Sequence, residues 1–269
     1  MRVADALDAL RSATDVSGAT LAFYAAKARP LRSALGFVPA GQVTPRRIAA
    51  YVEGRDAAGV GRGTIHKELC VLRRALAGAG VADPLAAVPR LRHRTSPRRR
   101  FLTAAELAGL RTSLDPERAW WVTVACYSGG RRSEVEALTW ERHVDLVGER
   151  LLIPGTKTTW AERWVPLPPA LIAEMRARAS RTGPVVRPWA GNVNRDLRRA
   201  CARVGIPRCS PNDLRRTFAS WLVQAGVSSY QVAKLLGHTT SRMVEKVYGH
   251  LTDASARAAV ATLPTLEAT

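Results

Sequence analysis

YSGGRRSEVEALTW, from Tyr127 to Trp140, is the stretch on which the reading of this chain turns. Gly129 and Gly130 permit a tight backbone turn, and Arg131 and Glu134 follow it three residues apart, at the start of a short helix expected around Glu134 to Leu138. Upstream, Asp115-Pro116 opens an apolar helix running to Ser128, and Thr103 with Glu106 forms a capping-box pattern that starts another. Downstream, Arg150 to Pro154 and Glu162 to Leu167 are short β-like runs, which predict a hairpin whose tip carries Lys157. Helical spacing then returns in Leu171, Ile172 and Met175, in Val193, Leu197, Cys201 and Val204, and in Leu214, Phe218 and Leu222. Residues 101–269 therefore read as a mostly helical domain with a small antiparallel sheet.

Residues 1–92 form a first, helical domain, joined to the second by a basic linker that extends to about residue 100. Ile65, Leu69, Leu72 and Leu76 recur at helical spacing from Thr64 to Ala77, while His66, Lys67, Glu68, Arg73 and Arg74 take other faces. From Pro89 to Arg100 the chain is rich in arginine and proline and offers almost nothing to pack. A length of 269 residues suits two modest domains. With 46% apolar and 23% charged residues the composition is that of a folded chain, neither disordered nor collagen-like. No apolar run approaches the roughly 18 residues needed to cross a bilayer, and the N-terminus lacks a secretory pattern. Cys70, Cys126, Cys201 and Cys209 show no C-x2-C pair and read as reduced cysteines, not zinc ligands. A cytoplasmic protein is expected.

The net charge is +19, and both parts share it: +11 for residues 1–100 and +8 for the remainder. A basic tail would concentrate the excess, whereas this distribution points to two domains facing a polyanion, with nucleic acid the natural partner. Arginine dominates, with 36 of the 41 cations, so a general arginine bias explains part of the excess and makes each of the five lysines informative.

Four segments carry chemistry: the stretch around Arg131 and Glu134; Lys157 on its hairpin; NDLRRTFAS, where Asn212 and Arg215 share one helix face; and LLGH, ending at His238, followed by VYGHL with Tyr248 and His250. Taken singly, each of these residues is more often structural. In this order, over nearly all of residues 101–251, the set resembles the tyrosine recombinase (phage integrase) family. Residues 1–92 resemble that family's core-binding domain more weakly, and the helix from Thr64 to Ala77 is the candidate for a DNA groove.

The resemblance implies a site-specific recombinase or integrase that cleaves and rejoins DNA through a 3′-phosphotyrosyl intermediate and a Holliday junction, with no metal, ATP or other cofactor. Arg131 and Arg215 suit the nonbridging phosphate oxygens, since guanidinium groups stay charged and donate paired bonds. By the resemblance Tyr248 is the nucleophile, Lys157 the general acid, His238 a phosphate contact and Glu134 the residue that orients the cations. The family usually has histidine where this chain has Asn212, and an amide cannot take the tyrosine proton near neutral pH, so the general base is open. The implied partners are double-stranded DNA and three further copies of the chain on two DNA sites, with a directionality factor left open and the segment from Thr252 to Leu263 packing in cis or in trans. An additional arm-type DNA-binding module is not expected. The competing readings are a Xer-like dimer resolvase, a type IB topoisomerase and a noncatalytic DNA-binding protein that keeps the fold.

Overall fold

The computed structural model describes residues 1–12, 16–87, 100–155, 162–178, 182–242 and 244–245. Most of the linker, Lys157, Lys246, Tyr248, His250 and the segment from Thr252 to Leu263 lie outside the described residues. The chain divides into two compact units, Met1–Ser96 and Pro97–Thr269, each with its own hydrophobic core.

In the first unit, α1 (Val3–Arg11), α2 (Gly18–Leu35), α3 (Pro45–Ala57) and α4 (Arg62–Gly78) pack around Leu7, Leu31, Ile48, Ile65, Leu72 and Leu76. Side-chain oxygens of Ser17 and Thr44 accept from the first-turn amides of α2 and α3, which fixes where those helices begin. α4 contains the predicted Thr64–Ala77 helix and buries its apolar stripe, with His66, Lys67, Arg73 and Arg74 exposed. Glu68 corrects the reading: it is buried, 1% exposed, because Tyr51 and Arg55 of α3 reach its carboxylate.

The second unit contains α5 (Ala104–Thr112), α6 (Pro116–Ser128), α7 (Arg132–Glu136), α8 (Trp140–His143), a sheet, then α9 (Pro169–Ala177), α10 (Val193–Arg203), α11 (Pro211–Gln224) and α12 (Ser229–Leu236). The Thr103–Glu106 capping box forms and starts α5, and Asp115 caps α6. α6 buries Trp120, Trp121, Val122, Val124 and Cys126 on several faces, as a central helix must, and it packs along α11. The predicted hairpin is β2 (Arg150–Ile153) against β3 (Arg163–Pro166), antiparallel, with Leu151 opposite Val165. A short β1 (Val144–Asp145), absent from the sequence reading, pairs with β2 and completes a sheet of order β1-β2-β3.

Cys201 and Cys209 are buried with their Sγ atoms 3.5 Å apart, a proximity that the spacing of eight residues did not announce. No described helix is long and apolar enough to cross a membrane.

Candidate active site

Gly129 ends α6 in the left-handed region at φ 60°. A Cβ at Gly129 would stand 2.5 Å from the Phe218 ring, and one at Gly130 would stand 2.8 Å from Val135 Cγ2, so the glycine pair is what lets α6 turn tightly against α11. The turn delivers Arg131 to the N-cap position of α7. Its amide donates to Glu134 Oε2 at 2.9 Å and its guanidinium to Oε1 at 2.5 Å. The helix starts at Arg132 and ends at Glu136, earlier than the Glu134 to Leu138 expected, because Glu134 is its third residue and caps it.

α11 begins with a second capping box, Ser210 and the buried Asp213, which places Asn212 on the exposed side of the first turn and Arg215 one turn further in. Arg215, 6% exposed, donates to Gly129 O at 2.8 Å and to Leu236 O at 2.6 Å, and its Nη2 lies 3.0 Å from His238 Nε2. Arg215 Nη1 is also 3.7 Å from Glu134 Oε2. His238 stands just beyond α12, where Gly237 adopts φ 66° and the His238 amide bonds back to Ala233 O. An arginine can only donate, so Nε2 of His238 accepts and the ring proton is assigned to Nδ1, which is buried and has no acceptor among the described residues.

The electrostatics follow from one buried carboxylate among cations. Burial would raise the pKa of Glu134, but the Arg131 amide and guanidinium and the charge of Arg163 outweigh it and hold the carboxyl below its ordinary value. Burial, reinforced by Arg215, Arg131 and Arg163, pushes His238 down to about 4, with Glu134 pulling weakly the other way. His238 is therefore neutral near pH 7.

Arg131, Arg132, Ser133, Asn194, Asn212 and Arg215 line an open cleft of about 570 Å³. A second cavity of about 440 Å³, bounded by Arg195, Arg198 and Arg208, shares Asn194 and Ser210 with it. Together they form a trough along the starts of α10 and α11. Of the seven residues singled out in the sequence, Arg131, Glu134, Asn212, Arg215 and His238 thus come together, while Lys157 and Tyr248 lie outside the described residues.

Arg163 was missed. Its Nε donates to Leu235 O at 2.6 Å and its Nη2 to Glu134 Oε2 at 3.2 Å. The signal was present in the strand alternation: Arg163 falls in phase with the inward-facing Val165 and Leu167, and a charge on a core-facing position requires a partner. Arg132 and Glu136 were also overlooked. They pair at 2.9 Å and bond both sides of the Trp189 backbone, which fixes the cleft wall.

The second unit is thus mainly helical with a three-stranded antiparallel sheet, carrying three arginines around one buried glutamate and a histidine beside one of them. A dimer of lambda integrase(75-356) bound to a COC′ core site shares the fold with a TM-score of 0.75 at 18% identity, over 100% of this chain and 100% of that fragment. The Phage integrase family model matches residues 99–255, and the chain belongs to that family. Among curated relatives, the integrase of Mycobacterium phage FRAT1 is 35% identical over 37% of this chain, which spans 34% of that protein's length. The integrase of Mycobacterium phage D29 is 27% identical, with 86% of this chain and 70% of that protein covered.

Proposed function

We propose that this chain is a site-specific DNA recombinase that cleaves and rejoins strands through a 3′-phosphotyrosyl intermediate. The observation that carries this reading is that Arg131 and Arg215 meet at one fully buried Glu134 and face a single open cleft with Asn212. Negative charge on the nonbridging oxygens makes a phosphodiester unreactive, and two preoriented guanidinium groups facing the cleft stabilise the charge that develops there.

In this mechanism Tyr248 Oη attacks phosphorus, the bond from phosphorus to the 5′-oxygen breaks, and Lys157 protonates the departing 5′-oxygen. Asn212 donates a hydrogen bond to the phosphate and takes no proton. His238 is held at about 4 in the absence of a bound anion, so it is not assigned as the group that takes the tyrosine proton, and that base stays open. A bound phosphodiester anion adds an opposing charge beside His238 and raises its proton affinity, which suits the ring to a phosphate contact. Because the phosphotyrosyl bond conserves the linkage, rejoining to a new 5′-hydroxyl needs no nucleotide.

The first unit serves as the core-binding domain, with the exposed His66, Lys67, Arg73 and Arg74 of α4 toward the duplex. The trough past Arg195, Arg198 and Arg208 takes backbone phosphates. Four copies act on two duplexes in the cytoplasm.

The test is incubation with supercoiled plasmid carrying the DNA that flanks the gene, and with nicked duplexes of the same sequence, followed by an SDS quench. A covalent adduct mapping to one position, absent in Tyr248→Phe and insensitive to EDTA, is expected. Tight binding to that DNA with no adduct, even after Asn212→His, would overturn the reading in favour of a noncatalytic binder.

A further inference from the structure

Arg163 takes no part in the steps above and does not line the cleft of Arg131 and Arg215, yet it connects the elements that build it. Its side chain is 6% exposed. From β3 it reaches Glu134 on α7 and Leu235 O in the last turn of α12, immediately before the Gly237 turn that sets His238. Arg215 makes the parallel connection, from α11 to Glu134 and to the next carbonyl, Leu236 O. Two guanidinium groups thus tie one buried carboxylate to two successive carbonyls at the negative end of α12, where helical acceptors otherwise lack partners.

The two ties differ in what else they face. Arg215 lines the cleft as well as holding Leu236 and His238, so a bound phosphate shares its donors with them. Arg163 looks into another cavity, between β3 and α12, lined also by Trp164, Tyr230, Lys234 and His238. An arginine is required because the two acceptors lie on separate elements: one donor cannot serve both, whereas Nε and Nη2 of one planar fork can. The sheet supports the geometry. Arg163 points inward while its neighbour Trp164 points outward, with the Arg150 guanidinium 4.3 Å from the Trp164 ring centre.

We infer that Arg163 is a positioning residue, holding Glu134 and the His238 turn in register so that Arg131 and Arg215 can meet the phosphate. This rests on the cleft being a phosphate site, but part of its test does not. The charged and titratable groups around His238 are Arg215 from α11, Arg131 and Glu134 at α7, and Arg163 from β3, with Glu162 and Lys234 on the wall of the adjoining cavity. Removing the Arg163 charge takes away one of the three cations that disfavour the imidazolium.

The experiment compares the full-length wild type with Arg163→Met and Arg163→Lys, each first shown to be folded by thermal melting. Without DNA, the His238 ring is titrated by NMR; the midpoint rises in Arg163→Met and stays near the wild-type value in Arg163→Lys. With a nicked duplex, single-turnover adduct formation in Arg163→Met falls roughly tenfold to a hundredfold, as expected for misplaced catalytic groups, while the DNA Kd changes by less than about threefold. Arg163→Lys recovers part of the rate, since it keeps the charge but serves one acceptor only. A His238 midpoint unmoved in Arg163→Met, with adduct formation reduced only in proportion to the unfolded fraction, would make Arg163 a purely structural residue. If the wild type forms no adduct, the phosphotyrosyl reading fails by itself and the DNA-free titration still decides whether Arg163 acts on His238.

Discussion

Each unit buries one glutamate against arginine, and the two clusters behave differently. Glu68 in the first unit is 1% exposed and receives the Tyr51 hydroxyl at 2.8 Å and the Arg55 fork at 2.8 and 3.0 Å. Glu134 in the second unit is fully buried and draws on Arg131, Arg163 and Arg215 from separate elements. Burial opposes ionisation of both carboxyls, and hydrogen bonds from their partners hold both below the ordinary value. Around Glu68 both partners come from α3, and the cluster joins α3 to α4. Around Glu134 two of the cations also line an open cleft. A buried carboxylate with arginine partners is therefore no mark of a site by itself; it becomes one when the cations it holds keep another side open to a ligand.

The sharpest way to break this contrast is to replace one arginine in each cluster. Arg215→Lys should reduce single-turnover adduct formation by about 10²- to 10³-fold, the usual cost of losing a preoriented donor at developing charge. Arg55→Lys should leave the rate per folded molecule unchanged. Equal losses in the two variants would erase the distinction.

Removing the carboxylates comes next in size. Glu134→Gln leaves the buried Arg163 and Arg215 poorly compensated and should destabilise its unit by about 3 kcal/mol, and Glu68→Gln, whose partner Arg55 is partly exposed, should cost its own unit less. Hydrogen exchange read by segment checks this: Glu68→Gln should loosen α3 and α4, and Glu134→Gln should loosen α7, β3 and the end of α12.

Acid separates the units more gently. The two glutamates have depressed folded pKa values, so their contribution is present above the ordinary carboxylate range and is lost as pH falls through the folded values. His238 adds an effect in the second unit alone. Between its ordinary value of 6.5 and about 4 the unfolded chain binds the extra proton, so stability rises with pH across that window. Urea unfolding at several pH values should show this slope in the second unit and its flattening in His238→Gln.

The smallest expected effect concerns DNA affinity. Lys67→Gln on α4 and Arg198→Gln beside the cleft should each lower the slope of log K against log salt by about one, if each cation meets one phosphate. A slope unchanged in one variant would remove that region from the DNA contact.

Local signals explain what was legible in the chain. The capping box at Thr103 and Glu106, the Asp115-Pro116 start and the apolar stripe of α4 each depend on residues within one or two helical turns. The same holds for the glycine turn that presents Arg131 and Glu134 together. Glu68 was placed on a polar face because nothing near it in sequence reveals Tyr51, 17 residues away and on another helix. β1 escaped notice because two residues are too short for an alternation pattern. Arg163 was hidden among many arginines, although its strand phase was readable.

The set of elements and the kinds of side chain able to act on a phosphate were thus legible in the chain itself, because helix starts, turns and hairpins are selected by neighbouring residues. The tertiary structure alone decided that Arg215, 81 residues after Glu134, meets the same carboxylate as Arg131, that Arg163 ties that carboxylate to α12, and that His238 stays neutral. Those outcomes depend on burial and on charges brought from distant elements, and a pKa or a shared ligand cleft exists only once the chain has folded.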